Sequence, residues 1–165
     1  NTKIHELSAH DQVVFRRTHI GFVFQQFNLL PSLTVAENVA VPLVANGDKY
    51  TPAMKKSFEM LESLGLSDHA DDHPAQLSGG QQQRIAFARG LILKPKILFC
   101  DEPTSALDEA SGQQIMHVLT DIAINPDAGV IVVTHDDRIF HFADRIVRMK
   151  DGLVEDDNEI IGSKK

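Results

Sequence analysis

The stretch Ile97-Leu98-Phe99-Cys100-Asp101-Glu102 decides how the rest of the chain is interpreted. Four successive apolar residues predict a buried β-strand, and two acids end it. Two similar apolar runs, Ile20 to Phe24 and Val130 to Thr134, lie before and after it in the sequence. Because helical patterns separate the three runs and none of them alternates with polar residues, we expect an α/β fold. Its sheet should be mostly parallel and covered on both faces.

Polar side chains closely follow each predicted strand, at Gln25, at Asp101 and Glu102, and at His135. Ligands of open parallel sheets bind beyond the carboxyl ends of the strands, so any chemistry is expected at this edge. Adjacent acids on an extended chain point to opposite sides, so one can hold a metal ion while the other takes a proton from water. A polar strand end turning through Pro103 explains the acid pair equally well.

The amide of Gln25 can hold a water or a metal-bound water without adding charge, or it can be an ordinary loop residue. His135 can donate a hydrogen bond to a phosphate oxygen or orient a water. A lone histidine among eight is more often structural. Cys100, in a buried strand, is expected to be a small core residue.

The segment Leu77-Ser78-Gly79-Gly80-Gln81 begins a predicted helix, and Ser78 with Gln81 fits a capping box. Gly79 and Gly80 carry no side chains, so backbone N–H groups at the positive end of a helix can approach an anion. This is a candidate phosphate site. An ordinary well-capped helix accounts for the segment if it is considered alone.

Other local patterns predict the remaining elements. Helices are expected over 8–17, from a Thr34–Glu37 capping box to about Asn46, over 52–64, over 109–124 and over 136–143. Phe58, Leu61 and Leu64 would share one helix face. A strand over 145–149 precedes a turn at Asp151-Gly152, and the polar residues 156–165 are expected to fray.

Composition excludes several classes of protein. The 165 residues carry 16 basic and 23 acidic side chains, a net charge of −7 that argues against nucleic-acid binding. One cysteine excludes a disulfide framework. The apolar runs are too short for a bilayer span, and the first residues lack a signal-peptide pattern. We therefore expect a protein in the cytosol or on the cytosolic side of a membrane.

Five motifs together resemble the ATP-binding subunits of ABC transporters, and the likeness covers nearly the whole chain. The motif Leu-Ser-Gly-Gly-Gln is specific when Asp101-Glu102 follows twenty residues later and Thr134-His135 follows beyond that. In order, the five are Gly21 to Gln25, Leu77 to Arg84, Ile97 to Pro103, Ser105 to Asp108 and Val133 to Asp136. The resemblance implies a nucleotide-binding core of the P-loop NTPase type formed by 1–25 and 94–165. A helical subdomain over 26–93 would be inserted into it.

The resemblance also implies ATP and Mg²⁺ as cofactors and a role for each site residue. Asp101 would hold Mg²⁺ through water, and Gln25 would sense Mg²⁺ and the attacking water. Glu102 would be the general base for hydrolysis, and His135 would contact the γ-phosphate. Phosphoryl transfer needs mostly positioning and charge neutralisation, which such residues supply.

Two partners are implied as well. Ser78, Gly79 and Gly80, with Gln81 in the same motif, would bind the γ-phosphate of ATP held by the opposite subunit of a homodimer or a paired ATPase. Asp108 would communicate across that dimer. The segment Gln26 to Leu33 would contact a separate membrane permease. Phe27 to Pro31 and Thr134 to Ile139 look most like the exporters of lipoproteins, macrolides and glycolipids, although importers share much of Asp101 to Asp108.

The chain departs from the family in one large respect. It contains no G-x-x-x-x-G-K-[ST] phosphate loop, since none of its ten glycines precedes a lysine. Asn1 to Leu7 resembles the segment just after that loop's helix and the next strand. We therefore expect an incomplete copy with exposed apolar surface, a tendency to associate and little ATP hydrolysis on its own. A natural variant without the loop is the other interpretation.

Two further functions stay open. A soluble ABC-type ATPase can have a regulatory or scaffold role without transport. A catalytically silent chain can lend its Leu77 to Gln81 motif to the ATP of a partner, although an intact Glu102 and His135 weaken that hypothesis.

Overall fold

A computed structural model describes residues 3–159, with side chains described as far as residue 156. The chain forms two compact units, Asn1–Val133 and Thr134–Lys165, which we describe separately. In the first unit the helices are α1 (Ala9–His19), α2 (Val35–Ala45), α3 (Tyr50–Ser63), α4 (Gly79–Leu91) and α5 (Glu109–Ala123), and the strands are β1 (Ile20–Val23), β2 (Ile97–Asp101) and β3 (Gly129–Val133). Short 3₁₀ helices lie at Ile4–Glu6, Ser67–His69 and Pro74–Gln76.

The predicted parallel sheet is confirmed, with β2 between β1 and β3. Val23 lies opposite Cys100 and Cys100 opposite Val132, so all three strands end at the same edge. Each crossover is helical, as a parallel connection requires. The stretch Ile97 to Asp101 is therefore the central strand, and the polar residues that follow the strands share one edge.

One face of this sheet is packed as predicted. Val23, Leu98 and Cys100 are almost fully buried. A Cβ atom added to Gly21 would collide with the carbonyl oxygen of Gly90, so β1 and α4 meet backbone to backbone. Burial raises the pKa of the Cys100 thiol to about 12, which keeps it protonated and confirms its place as a core residue.

The other face is exposed, so the prediction of a sheet covered on both faces is wrong for the described residues. Phe22 is 46% exposed, Ile131 47% and Val133 59%, although the sequence pattern predicted buried strands. Phe22 stacks on Phe24 and Phe99, with ring centroids 5.1 and 5.2 Å away. An apolar run in the sequence shows that a strand is hydrophobic. It does not show which element packs on each face of the sheet.

A second core lies between α2, α3 and α4. Its members are buried aliphatic side chains, among them Val35, Val39, Leu43, Leu61, Leu66 and Ile85. The predicted capping box opens α2, because Thr34 accepts from the backbone N–H of Glu37 and the Glu37 carboxylate accepts from that of Thr34.

Among the described residues, no helix combines the length and apolar character needed to cross a lipid bilayer.

Helix α3 differs from its prediction in both extent and face. It spans Tyr50–Ser63, and its buried residues are Ala53, Ser57 and Leu61. Phe58 is 43% exposed, so it does not share a buried face with Leu61. Because Ser57 donates a hydrogen bond to the carbonyl of Ala36 at 2.6 Å, small residues set the contact with α2. Phe58 follows Ser57 and is rotated from it by about 100° around the helix axis, which turns it toward solvent.

The second unit contains a β-hairpin made of β4 (Arg145–Lys150) and β5 (Leu153–Glu159). Its turn is at Asp151 and Gly152, as predicted, and both have positive φ. Residues 156–159 belong to β5 and do not fray. Their backbone groups pair with those of β4, and this pairing does not depend on the polarity of the side chains. The expectation of fraying at 160–165 lies outside the described residues. The helix predicted over 136–143 is instead a 3₁₀ helix, Asp137–Phe142.

The exposed sheet face predicts concentration-dependent self-association. The double variant Ile131→Thr/Val133→Thr keeps β-branched side chains while a hydroxyl replaces an ethyl group at Ile131 and a methyl group at Val133. We expect on the order of tenfold weaker association per buried group lost, measured by sedimentation velocity over a concentration series. Val44→Thr, at an isolated position 44% exposed on α2, is the control. A wild-type chain that stays monomeric at every concentration would contradict this expectation.

Candidate functional site

Two of the predicted site positions meet at the carboxyl edge of the sheet. Gln25 follows β1 by two residues and is exposed, while Asp101 ends the neighbouring strand β2 and is also exposed. Since β1 and β2 are parallel and in register up to Val23 and Cys100, both side chains emerge at one edge. His135 lies in the second unit, so its place beside this edge stays a prediction.

Glu102 adopts an unusual backbone conformation just past the central strand. Its φ is +46°, in the left-handed region that residues with a Cβ rarely occupy. Its N–H donates to the carbonyl of Val133 at 2.8 Å, and its carbonyl accepts from the Ser105 hydroxyl at 2.9 Å. These bonds hold a half-buried carboxylate at the strand end. Strain of this kind persists where surrounding contacts determine the conformation, which is common at functional sites.

The donor atoms at this edge are compatible with Mg²⁺. Asp101 offers carboxylate oxygens and Gln25 an amide oxygen, which are the hard ligands that Mg²⁺ prefers. Among the described residues, no three His, Cys, Asp or Glu side chains come together as a metal cluster. Mg²⁺ sites of phosphoryl-transfer proteins commonly use only one or two carboxylates, with water and substrate phosphates completing the shell.

The second predicted feature is the N-terminus of α4, and its capping box is confirmed. The Ser78 hydroxyl accepts from the N–H of Gln81 at 3.3 Å, and Gln81 Oε1 accepts from the N–H of Ser78 at 2.8 Å. A Cβ atom on Gly79 would lie 3.7 Å from the nearest neighbour, the carbonyl oxygen of Ala106. The chain's own packing therefore does not require glycine there. The missing side chain instead leaves backbone N–H groups open to an anion.

Gln81 is further held by a contact that the sequence did not predict. Because its Oε1 serves the cap, its amide N–H faces Nε2 of His69 at 2.8 Å. Nδ1 of His69 in turn lies 2.8 Å from Asp72. His69 therefore bridges the Gln81 amide and the Asp72 carboxylate through its two ring nitrogens. Only the three-dimensional arrangement brings His69 and Asp72 to Gln81. Both ends of the Gln81 amide are engaged within the chain, and a direct role toward nucleotide stays a prediction.

Asp108 caps α5. Its carboxylate accepts from the backbone N–H of Ser111 at 2.9 Å and from the Ser111 hydroxyl at 2.8 Å. These hydrogen bonds, the backbone one first, lower the pKa of the Asp108 carboxyl below its usual value. The segment before it packs on the start of α4, since a Cβ on Gly80 would lie 3.4 Å from the Leu107 side chain. The loop after Asp101 and the first turn of α4 are thus neighbours.

The loop after Gln25 is shaped by two helix side chains. Buried Asn38 accepts from the N–H of Leu30 at 2.7 Å and donates to its carbonyl at 3.0 Å. Arg89 donates to the carbonyls of Phe27 and Asn28, each at 2.6 Å. Its position on α4 suggested a surface or interhelix residue, so this contact was missed. Both anchors are polar residues on helices, and their loop partners are backbone atoms that leave no sequence signal.

A groove of about 360 Å³ lies beside this loop. Apolar and amide side chains from two segments form it. They are Gln26, Phe27, Asn28, Leu29 and Pro31 on one side and Pro74, Ala75 and Gln82 on the other. The groove therefore joins the loop after Gln25 to the segment that leads into α4.

Comparison with known proteins gives consistent matches. The family model described as ABC transporter matches residues 1–105. An uncharacterized ABC transporter ATP-binding protein of Methanocaldococcus jannaschii, MJ0796, is 44% identical over 98% of this chain and 71% of its own length. A macrolide export ATP-binding/permease protein, MacB, of Rhodopirellula baltica is 44% identical over 93% of this chain. The chain spans only 23% of that relative's length.

A solved structure shows the same fold. The dimeric post-hydrolysis state of the MJ0796 ATP-binding cassette, bound to ADP and Pi, superimposes with a TM-score of 0.89 at 41% identity. The match covers 99% of this chain and 72% of that one. Strand order, capping box and acid pair thus occur in a chain whose sequence and fold both match one family. The chain belongs to the ABC transporter family and has the α/β fold of its ATP-binding cassettes.

Proposed function

We propose that this chain is the main part of an ATP-binding subunit that hydrolyses ATP to power export through a membrane permease. One observation carries the proposal. The acid pair Asp101-Glu102 ends the central strand, and the open, capped N-terminus of α4 packs beside the loop that follows it. A carboxylate pair and an anion-binding helix end are two of the elements that phosphoryl transfer uses.

Each residue has a distinct task in the proposed reaction. Bound Mg²⁺–ATP supplies the transferable phosphoryl group and the cation that neutralises its charge. Asp101 holds the metal through water, and the Gln25 amide orients water at the same edge. Glu102 accepts the proton of the attacking water on its carboxylate, in a position set by its left-handed backbone. His135 is proposed to donate a hydrogen bond to the γ-phosphate.

We propose a dimer as the working assembly. Ser78, Gly79 and Gly80 present a hydroxyl and backbone N–H groups that suit a terminal phosphate held by a second subunit. Asp108, at the start of α5, lies in the chain segment next to this motif. It is proposed to communicate across the dimer whether the motif has bound nucleotide. The solved MJ0796 cassette is described as dimeric, which supports this arrangement.

The permease partner is proposed to dock in the groove beside Gln26 to Leu33. Phe27, Leu29 and Pro31 supply apolar surface on one side, and Pro74 with Ala75 supplies it on the other. An amphipathic helix of a membrane protein fits such a groove. Curated relatives named macrolide export ATP-binding/permease proteins combine both activities in one chain, which favours an exporter and a place at the cytosolic face of the membrane.

The role of Glu102 can be tested directly. In a cassette that contains this sequence and a G-x-x-x-x-G-K-[ST] loop, Glu102→Gln should lower phosphate release at least on the order of a hundredfold, because the general base is lost. ATP-bound dimers should accumulate in size-exclusion chromatography. Glu109→Gln, an exposed acid in the first turn of α5, serves as the control. Unchanged turnover in Glu102→Gln would show that another group takes the proton.

A second prediction concerns the 165-residue chain as it stands. It contains no G-x-x-x-x-G-K-[ST] motif, so we expect weak ATP binding and negligible hydrolysis. The measurement is phosphate release by a preparation whose mass is confirmed as 18.3 kDa. Robust turnover by that preparation would mean that the other residues suffice to hold the triphosphate.

The groove is tested with two neighbouring leucines. Leu29 lines the groove, whereas Leu30 is 44% exposed and does not line it. Leu29→Asp should reduce co-purification of the membrane subunit at least several-fold, because a buried unpaired carboxylate is costly. Leu30→Asp is the matched control and should leave co-purification near the wild-type amount. If no membrane subunit co-purifies with the wild-type protein, a regulatory or scaffold role without transport replaces this proposal.

A further inference from the structure

The loop that follows Gln25 is fastened to α4 by one guanidinium group. Arg89 donates from Nη1 to the carbonyl of Asn28 and from Nη2 to the carbonyl of Phe27, each at 2.6 Å. The two acceptors are consecutive backbone carbonyls, sixty-two and sixty-one residues away along the chain. A planar fork of donors matches a pair of acceptors in a way that a single ammonium group does not.

The two residues held by this fork have a strained backbone. Phe27 has φ +57° and Asn28 has φ +48°, so two successive residues with a Cβ lie in the left-handed region. Such residues visit this region singly, and asparagine tolerates it better than phenylalanine does. The hydrogen bonds to Arg89 turn both carbonyls toward α4. The loop conformation therefore depends on a contact outside the loop.

Arg89 is itself firmly seated. Burial lowers the pKa of its guanidinium from the usual value, and within the described residues no carboxylate forms a salt bridge with it. Its hydrogen bonds go to the two loop carbonyls. The next residue, Gly90, packs so closely on β1 that an added Cβ would lie 3.1 Å from the Phe22 carbonyl oxygen. The C-terminal end of α4 is thus attached to both the strand and the loop.

The opposite end of α4 carries the phosphate-binding residues proposed above. Ten residues separate Gly79 from Arg89 on one continuous helix, a rise of about 15 Å. The groove contacts both ends of this link, since Phe27 and Asn28 line it together with Gln82. Gln82 donates from Nε2 to the carbonyl of Leu77 at 3.1 Å. A protein segment bound in the groove would therefore contact both the loop held by Arg89 and the first turn of α4.

We propose that Arg89 is a positioning residue that makes the loop of residues 26–30 and the Leu77–Gln81 segment at the start of α4 move as one body. The mechanical link follows from the contacts alone. Its consequence, that occupancy of the groove by a permease sets the position of Ser78 to Gly80, rests on the proposed function.

Amide hydrogen exchange on the full chain tests the link. Arg89→Ala should accelerate exchange on the order of tenfold both in residues 26–30 and in residues 77–82, while the α2–α3 core stays protected. Arg89→Lys keeps the charge without the fork and should give an intermediate rate. Arg84→Ala, five residues earlier on the same helix, is the matched control. Its exchange in both segments should equal that of the wild type.

A rescue variant separates the link from simple packing. Glycine takes positive φ without strain, so in the Arg89→Ala background Asn28→Gly should slow exchange again in residues 26–30. Exchange in residues 77–82 should stay fast, because the contact with α4 is still missing. If Arg89→Ala does not fold, the comparison of Arg89→Lys with Arg89→Lys/Asn28→Gly makes the same test. Acceleration confined to residues 26–30, wild-type exchange in Arg89→Lys, or no rescue by glycine would each overturn the proposal. Hydrogen exchange is measured without ATP or a permease. The three contradicting exchange results would therefore count against the role of Arg89 and not against the proposed ATP hydrolysis.

Discussion

The arrangement depends on the close backbone contact between Gly21 of β1 and Gly90 of α4. A side chain at either position would push the helix from the sheet, since a Cβ on Gly21 would collide with the Gly90 carbonyl. With both glycines present, the last turn of α4 lies against β1, just before the loop that contains Gln25. Its first turn extends to the segment that follows Asp101. One helix therefore connects two regions that are distant in sequence.

Polar side chains fix the positions of the helix starts and loops on this scaffold through hydrogen bonds to the backbone. Four of the described α-helices begin with a side-chain cap, at Ser8, Thr34, Ser78 and Asp108, and each cap satisfies a backbone N–H group that the first turn leaves open. Buried Asn38 forms four hydrogen bonds to the backbone of the loop after Gln25 and of the start of α2. An apolar side chain at this position would leave the N–H of Leu30 without this partner, at a cost of about 1–3 kcal/mol. Loops near the proposed site are thus held by specific partners.

Local signals predicted most of the fold. The three apolar runs became parallel strands in one sheet, and the Thr34 and Ser78 capping boxes formed as their spacing predicted. Exposure was predicted less well, because Phe22, Phe58 and Ile131 are apolar residues whose neighbours depend on packing between layers. Residues that bind backbone carbonyls, such as Arg89, leave no pattern in the sequence. Motif spacing therefore located the candidate site but not the contacts that position it.

The central claim is that nucleotide lies between the strand edge of one subunit and the α4 N-terminus of another. The most direct measurement is the structure of an assembled cassette dimer containing this sequence, with Mg²⁺ and a non-hydrolysable ATP analogue. We expect the terminal phosphate within hydrogen-bond distance of Ser78 and Gly80 from one subunit and near Glu102 of the other. A nucleotide bound away from both elements would contradict this expectation.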